Sequence, residues 1–215
     1  MATPRVYRTY LFDLDGTLLD SIELIFSCYR HAASRHLETS PPDQVWRDGL
    51  GTPLREQFRA VTRDEALIDE MIATYREYHN DNHDSRVALY PGVEAMLSSL
   101  SARSVGLGVV TSKLRKGAER GLKLTGLMPY FDQIVSADEV KRAKPDPEPV
   151  HQAMERLGAA PASTIFIGDS PHDIAAGRAA GVATAGVLWG PFDQPTLSDA
   201  SPTYLLEDPK NILDL

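Results

Sequence analysis

The chain lacks several features that would each announce a class of protein. It has one cysteine, Cys28, so no intrachain disulfide framework can staple it. Its six histidines are scattered, without the spacing of a zinc site. No phosphate-binding loop of the Walker type is present. Gly106-Leu107-Gly108 and Gly49-Leu50-Gly51 begin like dinucleotide fingerprints. The first falls inside an expected strand, with Thr111 where the last glycine belongs, and the second follows a helix, so neither has the strand–turn–helix context. The most apolar stretch, 179–190, is too short to span a bilayer and is interrupted by Thr184. The N-terminal residues contain no apolar core of signal-peptide length. Positive charge is also short: 22 Lys and Arg stand against 30 Asp and Glu, a net charge of −8. Nucleic acid and anionic membranes are gripped by Lys and Arg, so neither is an expected partner. The expected setting is reducing and cytoplasmic.

What is present describes a globular chain. The hydrophobic fraction is 42% and the charged fraction 24%, ordinary values for a folded domain. At roughly 150 residues per domain, 215 residues make one large domain or a domain with an insert. Size scaling predicts roughly 10,000 Å² of folded surface. Short apolar runs at 7–12, 105–110, 133–135, 164–167 and 183–187 read as buried strands, and helical patterns fill 93–100, 113–124, 148–157 and 173–180. Such alternation predicts a parallel sheet covered on both faces. Gly121 and Gly126 predict broken helix ends nearby.

Residues 18–86 interrupt this rhythm. Ile22, Ile25, Phe26, Tyr29, Ala33 and Leu37 repeat at helical spacing, as do Ile68, Met71, Ile72, Tyr75 and Tyr78. No strand is expected here. The interval holds eight arginines, thirteen acidic residues and no lysine, a net of −5. It reads as a helical insert.

Four segments can carry chemistry. In Leu11-Phe12-Asp13-Leu14-Asp15-Gly16-Thr17, a strand ends in two carboxylates and a glycine that lets the backbone approach an anion. Ligand sites of open parallel sheets lie at such strand ends. Extended backbone there would turn Asp13 and Asp15 to the same side. In Gly168-Asp169-Ser170-Pro171-His172-Asp173, a second strand ends in Asp, with Pro171 placed for a helix start and Asp169 or Ser170 for its cap. Thr111-Ser112-Lys113 follows a third strand, where hydroxyls and backbone N–H groups bind phosphate oxygens. Lys144 lies in a loop stiffened by Pro145, Pro147 and Pro149. Singly, each segment also has a structural reading: an Asp-rich turn, two helix caps and a solvated basic loop.

In this order and spacing the four segments resemble the motifs of the haloacid dehalogenase-like hydrolase superfamily, over the whole chain. The resemblance implies a three-layer, Rossmann-like α/β core (1–17 and 87–215) with an inserted α-helical cap (18–86). It implies Asp13 as nucleophile, Asp15 as acid and base, Thr111 as a phosphoryl hydrogen-bond donor and Lys144 as the neutralising cation. It implies Mg²⁺ held by the Asp13 side chain, the Asp15 carbonyl and Asp169, with Asp173 in support. Gly16, Thr17, Ser112 and Lys113 would contact phosphate. Dehalogenating members lack an acid two residues after the nucleophile, so Asp15 favours phosphoryl transfer.

The start of the first motif, the small cap and Gly49-Leu50-Gly51-Thr52-Pro53-Leu54 look most like phosphoglycolate phosphatases and related pyrophosphatases. The expected activity is hydrolysis of a small phosphorylated metabolite, with 2-phosphoglycolate as first substrate. Pyrophosphate hydrolysis, sugar-phosphate mutation and a non-catalytic phosphate-binding module are the alternatives. The expected state is a monomer or weak homodimer. Arg55 or Arg47 would grip a substrate carboxylate or second phosphate. Trp46, Tyr75 and Tyr78 are expected in the cap core, Cys28 in packing, Trp189 over the sheet edge and His172 at a surface helix start.

Overall fold

The strand β1 (Thr9–Phe12) is buried at all four positions because it has neighbours on both sides. It pairs in parallel with β4 (Gly106–Val110) and with β6 (Thr164–Gly168). In this computed structural model, which describes residues 7–215, the sheet runs β5-β4-β1-β6-β7-β8 and every pairing is parallel. Residues 1–6, where the absence of a targeting stretch was read, lie outside the described residues. The remaining strands are β5 (Gln133–Val135), β7 (Ala183–Val187) and β8 (Tyr204–Leu206).

Side chains of β1 alternate between two apolar layers, as the period of two requires. Tyr10 and Phe12 join Val93, Met96, Leu97 and Leu100 of α5 (Val93–Ser101), with Ala118 and Leu122 of α6 (Arg115–Leu124). Leu11 joins Val150, Ala153 and Met154 of α7 (Glu148–Leu157), with Ala176 of α8 (Pro171–Ala179). With both faces covered, apolar residues are needed at every position, and the three-layer Rossmann-like core follows. The accessible surface is 10112 Å², close to the scaling expectation.

The sixth strand, β8, was not anticipated. It has three residues at the sheet edge, too few to show a period. Gly121 also behaves differently from the expected helix breaker. It lies inside α6, where an added Cβ would stand 2.7 Å from Leu19, so its bare backbone permits close packing.

The interval 18–86 is helical but not strand-free. The chain enters and leaves it through β2 (Leu19–Asp20), paired antiparallel with β3 (Ala88–Leu89). Two residues paired with a distant segment leave no local signature. Between them lie α1 (Ile22–His36), α2 (Asp43–Gly49), α3 (Leu54–Arg59) and α4 (Glu65–Arg86). Asp64 caps α4 by accepting from the Ala66 and Leu67 amides. Phe26, Tyr29, Trp46, Phe58, Ile68, Met71 and Ile72 form a separate apolar cluster in these helices. Trp46 is fully buried and stacks on Tyr29, ring centroids 4.9 Å apart. The partly buried Tyr75 packs on this cluster, against Tyr29 and Phe58, and also on the core layer on the α6 side, which Cys28 and Tyr78 touch too. From α6, Arg120 donates to Asp84 and to the Asn80 carbonyl of α4. Among the described residues, no helix is long and apolar enough to cross a membrane.

Candidate active site

Three adjacent strands, β4, β1 and β6, deliver Thr111, Asp13 and Asp169 at their carboxyl ends. The chain moves outward from β1 through β4 to β5, then returns to β6 on the other side. A crevice opens where the strand order reverses in this way. The Asp13 amide still donates to the Ile167 carbonyl at 2.8 Å, so the ends of β1 and β6 are held together.

Asp13 is buried, and its Oδ1 accepts from the Lys144 ammonium at 2.8 Å. Lys144 is 2% exposed and also donates to Asp173 Oδ1 at 2.6 Å and to the Val110 carbonyl at 3.3 Å. The other Asp173 oxygen accepts from the Ser170 amide and hydroxyl, closing a capping box at the start of α8. The helix cap therefore aims Asp173 at the lysine, so the structural and chemical readings of this segment coincide. Asp169 is buried and accepts from the Thr17 hydroxyl at 2.7 Å.

Carboxylate oxygens of Asp13, Asp169 and Asp173 lie within 4.8 Å of one another. Three buried carboxylates thus face one ammonium, an excess of negative charge in a low-dielectric place. Burial raises the Asp13 carboxyl to about 7, with Lys144 pulling down and Asp173 pushing up. Burial and then the charges of Asp13 and Asp173 push Asp169 well above the carboxylate range. Burial works against the Lys144 charge, but Asp13 and Asp173 hold it above the ordinary lysine value.

The donor set fits a divalent cation: hard oxygens, clustered, with charge left uncompensated. The backbone fits as well. Gly16 has φ +88°, and a Cβ there would stand 2.6 Å from Asp169 Oδ2. A Cβ on Gly190 would stand 2.5 Å from Asp169 Cβ. Two glycines thus bracket the carboxylate, and a side chain at either would intrude on it.

A stability prediction follows. An ordinary Asp titrates near 3.9 when unfolded, whereas Asp13 titrates at about 7 when folded. Between these values the folded state holds more protons, so the cluster's contribution to stability falls as pH rises through that window. A divalent cation competes with those protons. Thermal unfolding should therefore show a larger Mg²⁺-induced rise in Tm at pH 8 than at pH 5. An equal or smaller rise at pH 8 would contradict this.

The second carboxylate is held differently. Asp15 accepts from Lys113 Nζ at 2.8 and 2.9 Å and from the Ser21 hydroxyl at 2.6 Å. Burial pushes its carboxyl up, but Lys113 and Ser21 more than offset this and leave it below the ordinary value. The first two aspartates are therefore served by different lysines. Lys113 precedes α6, which starts two residues later than expected, and this frees its side chain from the helix.

Thr111 is buried, and its hydroxyl accepts from the Lys113 amide at 3.1 Å. Ser112 donates to the Gly51 carbonyl at 2.5 Å, so the loop between α2 and α3 lies over the strand ends. Arg47 donates to the Pro191 carbonyl at 2.6 Å. Arg55 is on the exposed side of α3, paired with Glu65 and Asp69, and the structure does not bring it to the carboxylate cluster.

Two expectations are corrected. Trp189 does not simply cover the sheet edge; its indole donates to the Thr17 carbonyl at 2.9 Å, beside the central strand. His172 is half-buried beneath Gly51 rather than at the surface. Ser21 and Gly190 escaped the sequence reading: Ser21 acts through a hydrogen bond to Asp15, and Gly190 through a missing side chain. The glycine after the last long strand was the one available signal.

A parallel α/β core with this charge arrangement at its strand ends defines a phosphatase-type hydrolase. The chain belongs to the haloacid dehalogenase-like hydrolase family, whose model matches residues 10–187. It is 42% identical over 217 residues to the pyrophosphatase PpaX of Bacillus velezensis, covering 99% of this chain and 98% of that one. A hydrolase of the haloacid dehalogenase-like family from Streptococcus pneumoniae superposes with a TM-score of 0.85 at 28% identity, covering 97% of each chain. A protein from Lactobacillus plantarum, provisionally named phosphoglycolate phosphatase, superposes at 0.87 with 25% identity, covering 97% of this chain and 99% of that one.

Proposed function

We propose that this protein hydrolyses inorganic pyrophosphate with Mg²⁺, through an aspartyl-phosphate formed on Asp13, beneath a cap made by the helical residues 22–86. One observation carries the reading: a buried Asp13 is bonded to Lys144, while Asp15 is kept ionised by Lys113 and Ser21. Asp13 Oδ attacks phosphorus in line, and the bond from phosphorus to the leaving oxygen breaks with its electron pair. Lys144 holds Asp13 in place and offsets charge as it develops. Thr111 offers its hydroxyl to the transferring group. Asp15, ionised, takes a proton from the water that then attacks the aspartyl-phosphate, which releases phosphate and restores Asp13. Asp13, Asp169, Asp173 and the Asp15 carbonyl would hold Mg²⁺. When bound, the ion neutralises phosphoryl oxygens and polarises the phosphorus centre.

An ionised Asp15 also speaks to the substrate. An alkoxide leaving group needs a proton as it departs, whereas phosphate, with a second pKa near 6, leaves as a stable anion. That chemistry agrees with the pyrophosphatase name of the relative from Bacillus velezensis. It moves the preferred substrate from 2-phosphoglycolate to pyrophosphate. 2-Phosphoglycolate remains the second reading, favoured by the resemblance of the first motif and cap.

Phosphate release from a panel of inorganic pyrophosphate, 2-phosphoglycolate, glucose 1-phosphate and phenyl phosphate tests this. The expected order of kcat/KM places pyrophosphate first, by about tenfold or more. A higher value for 2-phosphoglycolate would transfer the assignment to the second reading. Conversion of glucose 1-phosphate without phosphate release would mark a mutase.

A further inference from the structure

We propose that Lys113 is an exchangeable cation that receives a leaving group carrying its own negative charge, and that the enzyme thereby selects substrates with a second anionic group at the scissile oxygen. The inference rests on the phosphohydrolase reading above and specifies the leaving-group side of that site.

The two lysines of the site differ in how they are held. Lys144 has three partners, Asp13, Asp173 and the Val110 carbonyl, and its side chain is 1% exposed. Lys113 makes its side-chain contacts to one residue, Asp15, and its side chain is 13% exposed. Its backbone is pinned at both ends. The amide donates to Thr111 Oγ1 at 3.1 Å, and the carbonyl accepts from the Ala137 amide at 3.0 Å. Its aliphatic stem passes Gly117 in the first turn of α6, where a Cβ would stand only 3.3–3.5 Å from Cγ, Cδ and Cε. A fixed base with a four-carbon stem lets the ammonium swing while its root stays beside the phosphoryl-binding Thr111.

The anchor matches the chemistry. In the proposed mechanism Asp15 meets the water that enters on the face the leaving group vacates, so Lys113, bonded to Asp15, is already poised there. An arriving phosphate or carboxylate competes for the ammonium with a single carboxylate, and charge-assisted contacts to phosphate are strong. Asp15 keeps its Ser21 hydrogen bond through the exchange, and Lys113 returns to it when the leaving group departs, before water attacks. The cap offers no lysine to share this task, since none lies in 18–86. Arg55 is committed to Glu65 and Asp69. On α4, His79 lies within electrostatic reach of both Lys113 and Asp15. Burial and Lys113 hold its imidazole at about 4, so it adds a neutral hydrogen-bonding group.

Two measurements test the proposal on full-length protein with Mg²⁺. In the first, kcat/KM for inorganic pyrophosphate is divided by that for phenyl phosphate, whose leaving group carries no further anion. Lys113→Met should lower this ratio by about 10–100-fold, mostly through KM, and Lys113→Arg should restore most of it. In the second, calorimetry measures imidodiphosphate against orthophosphate. Lys113→Met should weaken imidodiphosphate by about tenfold or more relative to orthophosphate. An unchanged ratio or unchanged relative binding in Lys113→Met would overturn the role. If the wild type turns over none of these substrates, the function reading fails. The binding comparison still decides the Lys113 assignment in that case.

Discussion

Replacing Asp13 by Asn should lower kcat by about 10⁴-fold or more, with no loss of metal-free stability at pH 8. The two halves of this result have one origin. Asn has nearly the shape of Asp, and its amide oxygen can still accept from Lys144, so the packing at the end of β1 survives. What disappears is the anionic oxygen that attacks phosphorus in the proposed mechanism. In that mechanism water enters only in the second step, so it does not stand in for the lost nucleophile. Stability holds because the substitution removes one of three carboxylates that compete for one ammonium. The burial that raises Asp13 to about 7 is relieved. Steady-state phosphate release and thermal unfolding read both effects. Turnover within tenfold of wild type would remove Asp13 from the chemistry. A large drop in Tm would mean that its charge is needed for the fold.

Replacing Lys144 by Met should have the opposite stability signature. It removes the ammonium and leaves Asp13, Asp169 and Asp173 uncompensated in a buried place. Breaking a buried ion pair on one side costs about 3–5 kcal/mol. The cost should be greatest at pH 8, above the Asp13 value, and smaller at pH 5, where a proton on Asp13 takes the place of the lysine. The direction follows from Asp13, which burial raises to about 7: below that value it holds an extra proton in the folded state, and its charge then needs no partner. Activity should fall steeply as well, since Lys144 positions the nucleophile. Urea unfolding at the two pH values decides the matter. A loss of stability that is equal at both would show that the packing of the lysine side chain matters more than its charge.

Both substitutions act on residues that were legible in the sequence. Asp13, Lys144, Asp169 and Asp173 lie far apart in the chain, but each occupies a position where local chemistry is informative. Two are strand-end aspartates, one lies in a proline-stiffened loop, and one sits in the first turn of a helix. Parallel topology requires strand ends to meet along one edge of the sheet, so motif order alone implied their convergence. The apolar strands were equally legible, because a sheet covered on both faces imposes the same demand at every position.

Lys113 marks where this legibility stopped. Its residue type and neighbours suggested phosphate contact, but not that its ammonium rests on Asp15. That pairing depends on where α6 begins and on the way Gly117 clears a path for the stem. Arg55 shows the reverse. Its exposed position left it open to a substrate role, yet two carboxylates on the neighbouring helix claim it. Side-chain partners of this kind depend on helix rotation and spacing, which apolar periodicity leaves loosely specified.

By itself, then, the sequence pointed to the layered α/β core, the helical interruption and the four residues Asp13, Lys144, Asp169 and Asp173. These follow from local pattern and from the directionality of parallel strands. Only the tertiary structure decided how charge is shared among those residues. Burial and distance set that division: Asp13 and Asp173 on Lys144, Asp169 on Thr17, Asp15 on Lys113, and two glycines admitting the backbone to Asp169. Electrostatic energy depends on separations of a few ångströms and on exclusion of water, and neither is written in the spacing of residues along a chain.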